Sequence, residues 1–179
     1  FLNLIMRRQV ISIFYRLIRF LVKRHYFFWQ PIFGKLRDLE TVQEFGKKNI
    51  AFLTQGLFKK WVTFHPPKKL ETIVHDLPFS SPLTFAAYEA HLPLLTWFMQ
   101  LGIGGGCIKT MMTNPRKGNQ RPRLQEINYN GTQTLINALG LPGKGVKKQF
   151  QDLKKSNLFS FNRPIGLSIG GHKRQEYED

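Results

Sequence analysis

Residues 83–110 read LTFAAYEAHLPLLTWFMQLGIGGGCIKT, and this stretch decides the fold class. Its pattern predicts a short strand over residues 83–87, a helix over residues 91–101 with Gly102 just past its end, and a second strand over residues 106–110. Strands that alternate with helices are typical of parallel βα units. The sequence therefore predicts an α/β fold.

The same alternation continues downstream. A polar loop rich in Pro, Arg, Asn and Gly is predicted from residue 111 to about residue 130, followed by a helical turn over residues 132–137. Residues 144–156 form a predicted basic amphipathic helix, and residues 164–169 a third strand. Three parallel strands are too few to close a barrel.

The segment upstream has a different character. Residues 1–30 are apolar and basic, and residues 10–24 contain neither Gly nor Pro, which predicts a helix. Four cations share one side of its helical wheel: Arg8, Arg16, Arg19 and Lys23. No uncharged run approaches the ~20 residues of a spanning helix. We therefore expect residues 1–30 to lie in a membrane interface, with Tyr26, Phe27 and Trp29 at the headgroup level. A buried core helix and a targeting presequence are the alternatives.

Prolines and glycines suggest where the upstream segment is divided. Pro31 is expected to interrupt the first helix, and residues 35–61 are expected to hold one or two further helices with breaks at Gly46 and Gly56. The Pro66-Pro67 pair predicts a stiff linker. The predicted domains are a helical, basic, membrane-associating extension over residues 1–66 and an α/β part over residues 67–179.

Composition restricts the partners. The formal net charge of the 179 residues is +16, and the excess is spread along the chain. Such a field favours lipid headgroups, phosphates, carboxylate substrates or nucleic acid, although many solvated lysines would give the same total. The single Cys107 excludes an internal disulfide, and no Cys/His cluster predicts a metal site. No motif of a known RNA-binding module is present, so no specific nucleic acid is expected.

Three segments carry candidate chemistry. Lys109 stands near the carboxyl end of a predicted strand, where α/β barrels place ligand groups; a solvated lysine is the alternative. The loop 114–123 has four cations and two prolines and is suited to an anion or to the mouth of a site. Residues 137–145 combine Asn137 with several glycines that allow close backbone approach to a planar ligand, although an ordinary turn fits them too.

In this order and spacing, the three segments resemble the dihydroorotate dehydrogenase family. Residues 118–123, Gly-Asn-Gln-Arg-Pro-Arg, match the family's Gly-Asn-x-x-Pro-Arg, and residues 137–142, Asn-Ala-Leu-Gly-Leu-Pro, resemble the motif of the soluble class 1 form. Lys109 falls at the position of the class 1 lysine that contacts flavin and orotate. The helical extension is instead similar to class 2, the membrane-bound, quinone-using form.

The resemblance covers about residues 10–175 and stops roughly halfway through the family's chain. It implies the N-terminal part of a (β/α)8 TIM barrel preceded by the membrane-associating extension, and we expect this part alone to be inactive. The implied reaction is FMN-dependent oxidation of dihydroorotate to orotate in pyrimidine biosynthesis, with quinone as the acceptor. The implied location is a bacterial inner membrane on its cytoplasmic side, or a mitochondrial inner membrane.

The resemblance also implies site residues. FMN would contact Ala86, Ala87, Lys109 and Ser168. The substrate would contact Lys109, Asn137, Leu139, Gly140 and Leu141. The catalytic base is expected beyond Asp179, so no residue of this chain is assigned to that role.

The chain departs from the family's pattern at three places. Tyr88 replaces a glycine of the first strand, and a side chain there would crowd the flavin. The class 2 lysine is missing from the region of Glu89, Ala90 and His91, and Gly143 stands where class 1 has Asn. These departures keep open a different substrate and a second reading, a non-catalytic, degenerate barrel fragment that acts as a basic scaffold in a membrane or ribonucleoprotein assembly.

Overall fold

The computed structural model divides the chain into two compact units. It describes residues 2–32, 37–53, 55–171 and 173–177. The hairpin unit comprises Phe1–Phe45 and Asn119–Leu139, and the parallel-strand unit comprises Gly46–Gly118 and Gly140–Asp179. The boundary at residues 66–67, inferred from the linker prolines, stays a prediction.

Helices dominate the first part of the chain. Helix α1 spans Leu2–Arg24, a π-helical turn follows over His25–Trp29, and α2 is the single turn Gln30–Ile32. The predicted helix over residues 10–24 is confirmed. None of the helices in the described part of the chain has the length and apolarity that crossing a bilayer would take.

The expected interruption at Pro31 was wrong, because helical backbone continues through this residue. The backbone N–H of Gln30 donates to the carbonyl of His25, the wider spacing of a π turn. Pro31 therefore stands where the helix type changes and where its missing N–H costs little.

Two further helices follow. Helix α3 spans Leu39–Leu53 and α4 spans Gly56–Val62. The break at Gly56 is confirmed, and this glycine has a φ of +58°. The break at Gly46 was wrong, since α3 continues through it.

Two antiparallel hairpins appear where none was predicted. Strands β1 (Thr72–Val74) and β2 (Leu77–Phe79) form the first, and β5 (Leu124–Tyr129) and β6 (Thr132–Asn137) form the second. Each turn has two residues with positive φ, His75-Asp76 in the first hairpin and Asn130-Gly131 in the second. That geometry matches the twist of the flanking strands. The predicted loop is confirmed only to residue 123, where β5 follows, and the predicted helical turn over residues 132–137 was wrong.

The remaining elements build a three-stranded parallel sheet with two helices. They are β3 (Thr84–Phe85), α5 (Leu92–Gln100), β4 (Gly105–Met112), α6 (Val146–Lys154) and β7 (Ile165–Gly170). The strand order is β3-β4-β7, and both pairings are parallel. The predicted βα alternation is confirmed, although β3 is shorter than expected and ends before Ala86. The described strands do not close a barrel.

An apolar core lies within the parallel-strand unit. Its buried members are Phe85, Leu95, Met99, Ile108, Met111, Leu153 and Leu158. The glycines at the start of β4 allow close packing: a Cβ on Gly106 would come within 2.5 Å of the Phe85 ring, and one on Gly104 would overlap the backbone of Ser81. The Gly-Gly-Gly run at residues 104–106 is thus a packing requirement of the sheet.

Candidate functional site at the carboxyl ends of the parallel strands

The chain leaves β3 through a tight turn of small residues. Ala86 and Ala87 follow the strand directly and are exposed. The backbone N–H of Tyr88 donates to the carbonyl of Ala86 at 2.8 Å, which closes the turn. The Tyr88 side chain, in place of the family's glycine, is 52% exposed. Burial, and then the charge of Glu89, raise the pKa of its phenol.

Glu89 ties this turn to its surroundings. Its carboxylate Oε1 accepts the backbone N–H groups of Ala90 and His91 at 2.8 and 2.9 Å, and its Oε2 lies 2.6 Å from Nζ of Lys47. Its backbone carbonyl accepts the N–H of Lys109 at 2.9 Å. Burial alone would raise the pKa of Glu89, but the hydrogen bond and charge of Lys47 and the two backbone N–H groups lower it.

Lys109 occupies an irregularity of the central strand. Strand β4 pairs with β7 at Ile108–Leu167 and next at Met111–Ile169, so two residues of β4 stand opposite the single residue Ser168. Such a bulge redirects side chains and is common beside active sites. The hydroxyls of Thr110 and Ser168 are 2.9 Å apart across the bulge. Lys109 and Ser168 therefore lie on neighbouring strands at this bulge.

His91 is the residue before α5 and lies half-buried. Its Nδ1 is buried and has no hydrogen-bond partner among the described residues. Loss of solvent lowers the pKa of His91; the charge of Glu89 opposes this shift, and those of Lys47 and Lys144 reinforce it. The half-buried His91 therefore stands in the region where the class 2 lysine is missing.

The loop before α6 has an unusual backbone. Gly140 and Leu141 both have positive φ, +70° and +51°. Gly143 and Arg116 exchange two backbone hydrogen bonds of 2.9 Å each. A Cβ on Gly143 would lie 3.9 Å from Oε1 of Gln149, a buried amide oxygen without a hydrogen-bond partner in the described structure.

The Gly-Asn-x-x-Pro-Arg signature serves the hairpin unit. The backbone N–H and side-chain Nδ2 of Asn119 donate to the carbonyls of Leu139 and Ala138. Both Glu40 oxygens accept from the Arg123 guanidinium, at 2.7 and 3.0 Å. These hydrogen bonds give the signature a structural role in this unit.

Acidic side chains thus neutralise part of the positive charge of the loop 114–123. Arg121 contacts the carboxylates of Asp38, Glu40 and Glu44 at 2.8, 3.3 and 3.1 Å. The sequence suited the loop to an anion or to the mouth of a site and gave no sign of these acids, which precede it by about eighty positions. It likewise missed Lys47 and Glu89, because no local pattern indicates that they meet.

The structure distributes the predicted site residues between the two units. Ala86, Ala87, Lys109, Ser168, Gly140 and Leu141 belong to the parallel-strand unit, whereas Asn137, the last residue of β6, and Leu139 belong to the hairpin unit. The described residues contain no group of His, Cys, Asp and Glu able to hold a metal ion. The individual ligand roles stay predictions.

Comparison with known proteins decides the family. The model of the family described as "Dihydroorotate dehydrogenase" matches residues 69–179. The chain belongs to the dihydroorotate dehydrogenase family. The resemblance inferred from the three motifs is thereby confirmed.

Relatives within the dihydroorotate dehydrogenase family differ in their named electron acceptor. A dihydroorotate dehydrogenase (quinone) of Nautilia profundicola is 34% identical over 102 residues, which cover 56% of this chain and 27% of the relative. The quinone enzyme of Pseudoalteromonas translucida is 27% identical and covers 76% and 39%. In Pyrococcus abyssi, the catalytic chain of the dihydroorotate dehydrogenase named for NAD(+) is 31% identical and covers 60% and 34%. The chain thus spans well under half the length of these relatives.

A solved structure shares the fold. DHODH in complex with ferulenol from Eimeria tenella matches with a TM-score of 0.56 and 17% identity, over 80% of this chain and 39% of that chain. At this identity the likeness shows the fold alone.

Proposed function

We propose that the protein containing this chain oxidises dihydroorotate to orotate with FMN as cofactor and quinone as electron acceptor. The observation that carries the proposal is the position of Lys109, in a bulge of the central strand of a family-typical parallel sheet. The Ala86-Ala87 turn follows the neighbouring strand β3, and Ser168 lies on the other neighbouring strand, β7. Carboxyl ends of parallel strands are where barrel enzymes bind ligands.

Apart from Tyr88, the residues present fit a flavin. Ala86 and Ala87 are small and exposed, so they leave room for the approach of a flat ring. Lys109 supplies a cation, and the Thr110–Ser168 pair supplies hydroxyls beside it. FMN, when bound, would accept the two electrons that leave the substrate.

Lys109 would bind and orient the anionic substrate. Its ammonium is suited to a carboxylate or to negative charge on a reduced ring. The backbone of the turn at Gly140 and Leu141 would contact one edge of the substrate ring, as proposed from the family motif. We propose that the side chain of Asn137 and the backbone of Leu139 also contact the substrate.

Helix α1 supports the choice of a membrane-borne acceptor. Arg16, Arg19 and Lys23 are exposed on it. Its exposed apolar side chains are Val10, Ile11, Ile13, Phe14, Leu17, Ile18, Phe20 and Leu21. A helix that presents both kinds of side chain to solvent is suited to the interface of an anionic membrane. We propose that residues 1–30 bind that surface and that quinone reaches the protein from it.

The first test is the mass and absorbance of the natively purified protein. We expect bound FMN, visible in the flavin bands. In that protein, Lys109→Ala should lower turnover by at least about tenfold, because a cation at the reacting centre is lost. Lys154→Ala, which removes an exposed lysine at the end of α6, is the matched control. Equal turnover of the two variants would contradict the role of Lys109.

One observation favours a second candidate. The bulky Tyr88 stands beside the Ala86-Ala87 turn and would crowd a ring placed there. A non-catalytic scaffold that uses the chain's positive charge therefore competes with the enzyme. Native protein without flavin absorbance would favour the scaffold.

A further inference from the structure

A buried carboxylate marks the loop that joins β3 to α5. Glu89 is only 5% exposed. Moving an unpaired carboxylate out of water costs several kcal/mol, so this position requires compensation. Nothing in the chain's family resemblance assigns a role to Glu89 or to Lys47.

The compensation comes from two directions. The ammonium of Lys47, on α3, faces one carboxylate oxygen at 2.6 Å, and the backbone N–H groups of Ala90 and His91 face the other. All of the contacts are charge-assisted, which makes them short and directional. The Glu89 carboxylate is therefore neutralised by Lys47, and its hydrogen bonds to the backbone fix the path of the loop.

The same residue reaches the central strand. The Glu89 carbonyl accepts the backbone N–H of Lys109, in the bulge opposite Ser168. Glu89 is two residues from Ala87 and two from His91. One residue thus connects the turn after β3, the start of α5 and the bulge of β4.

We infer that the Lys47–Glu89 ion pair is a positioning device for the candidate site. It holds the loop from Ala86 to His91 against Lys109, so that the small-residue turn and the lysine keep a fixed separation for the ring that binds between them. Neither side chain is a catalytic residue. The inference rests on the proposed function, since the ring is FMN.

If the Lys47–Glu89 pair only stabilised the fold, charged side chains would not be required at these two positions. Well-packed apolar residues replace buried ion pairs in other proteins without loss of stability. Apolar side chains cannot accept backbone N–H groups, however, and so they cannot fix the loop. Loss of Lys47 should therefore affect ligand binding as well as folding, because it leaves the Glu89 carboxylate buried without its cation.

The experiment uses the full-length protein freed of FMN. Lys47→Met is compared with Lys48→Met, its exposed neighbour on α3. FMN affinity is measured by quenching of flavin fluorescence, the reduction potential of the reconstituted protein by redox titration, and folding by thermal melting without FMN. We expect Lys47→Met to weaken FMN binding by about tenfold and to shift the potential, whereas Lys48→Met should leave both unchanged.

Two further variants separate positioning from general destabilisation. Lys47→Arg keeps the cation and should return FMN affinity to within about threefold of wild type. Glu89→Gln, added to Lys47→Met, should weaken binding by less than the sum of the single effects, since the two act as one unit.

The outcomes are distinct. Wild-type protein that binds no FMN contradicts the proposed function, and the inference with it. Wild-type protein that binds FMN, with Lys47→Met unchanged in affinity and potential, overturns the inference alone. Leu95→Ala, a core variant, is measured under conditions in which it stays folded. If it loses as much FMN affinity as Lys47→Met, the inference is also overturned, because general destabilisation of the unit would then explain the effect.

Discussion

The parallel-strand unit and the hairpin unit are each stabilised internally by a different kind of contact. In the parallel-strand unit, the buried cluster is entirely apolar and includes Leu95, Met99 and Leu158, all fully buried. In the described part of the hairpin unit, the buried side chains are Tyr26, Gln30 and Glu40, and all three have polar atoms.

Each buried polar group of the hairpin unit has a defined partner. The Tyr26 hydroxyl accepts the N–H of Glu126, and the amide of Gln30 makes two hydrogen bonds to the backbone of Asp38. Apolar packing is strong but not directional, whereas these contacts depend on distance and angle. The parallel-strand unit, which contains all of the candidate flavin residues, is thus stabilised mainly by apolar packing, and the hairpin unit by directional polar contacts.

The largest expected effect tests whether the apolar core stabilises the parallel-strand unit. Leu95→Ala removes a side chain that is 0% exposed in the cluster. We expect the free energy of unfolding of the parallel-strand unit to fall by about 3 kcal/mol, through lost burial and a cavity. Chemical denaturation measures it. Leu135→Ala, at an exposed position of β6, is the control and should change stability little. A small loss at Leu95 would mean that the core is not what stabilises this unit.

The second prediction tests the polar side. Arg123 and Glu40 form a two-pronged ion pair whose side chains are 10% and 11% exposed. Arg123→Met would leave the carboxylate buried without its main partner, so we expect local stability to fall by about 2–3 kcal/mol. Amide exchange in β5 and β6 measures local opening.

Arg121 provides the matched control for that measurement. Its side chain is 36% exposed, and its ion pairs are screened by solvent. Arg121→Met should therefore cost less than about 1 kcal/mol. If the two variants accelerated exchange equally, burial would not decide the strength of these pairs and the contrast between the units would weaken.

The sequence predicts the parallel-strand unit better than the hairpin unit, for a physical reason. Helices α5 and α6 and strands β4 and β7 follow from apolar periodicity, which is a direct record of burial. The hairpins depend on turn chemistry instead. Asn130-Gly131 is a strong type I′ signal, although residues 132–137 were expected to form a helical turn. His75-Asp76 is a weaker signal, since neither residue is a glycine.

The sequence predicted only those parts of the candidate site that depend on local strand and turn patterns. Pattern alone placed Lys109 near the carboxyl end of a strand, whereas the structure puts it in a bulge inside β4, which continues to Met112. The Lys47–Glu89 pair joins positions far apart in the sequence, on α3 and in a loop. Pairing at such a distance depends on how the chain folds, and a single sequence does not encode it in any local motif.

A third prediction concerns a buried polar atom in the parallel-strand unit. Gln149 is 8% exposed, and its Oε1 has no hydrogen-bond partner among the described residues. A buried unpaired carbonyl costs about 1–3 kcal/mol. Gln149→Leu should therefore raise the free energy of unfolding by about 1 kcal/mol, whereas Gln151→Leu, at an exposed position of the same helix, should not. Destabilisation by Gln149→Leu would show that the amide has a partner in solution.

The smallest expected effect is a pH dependence within the parallel-strand unit, and it comes from His91. Loss of solvent lowers the pKa of His91 below its ordinary value of 6.5; the Lys47 and Lys144 charges add to this, and the Glu89 charge opposes it. The unfolded chain then binds the proton more readily than the folded one, so stability should fall as the pH drops below about 6.5. The lowered pKa of Glu89 acts in the same direction, but only below about 4.5.

The two groups can therefore be separated by the pH range. Between pH 8 and pH 5.5, His91→Gln should flatten the decline in melting temperature, because Glu89 stays ionised throughout. His75→Asn is the control, since His75 lies in the exposed turn between β1 and β2, where Asn tolerates the positive φ of +46°. An equal decline in wild type and His91→Gln would mean that His91 takes up its proton as easily when folded. The β3–α5 loop would then be open to solvent, which contradicts a closed, packed unit around the candidate site.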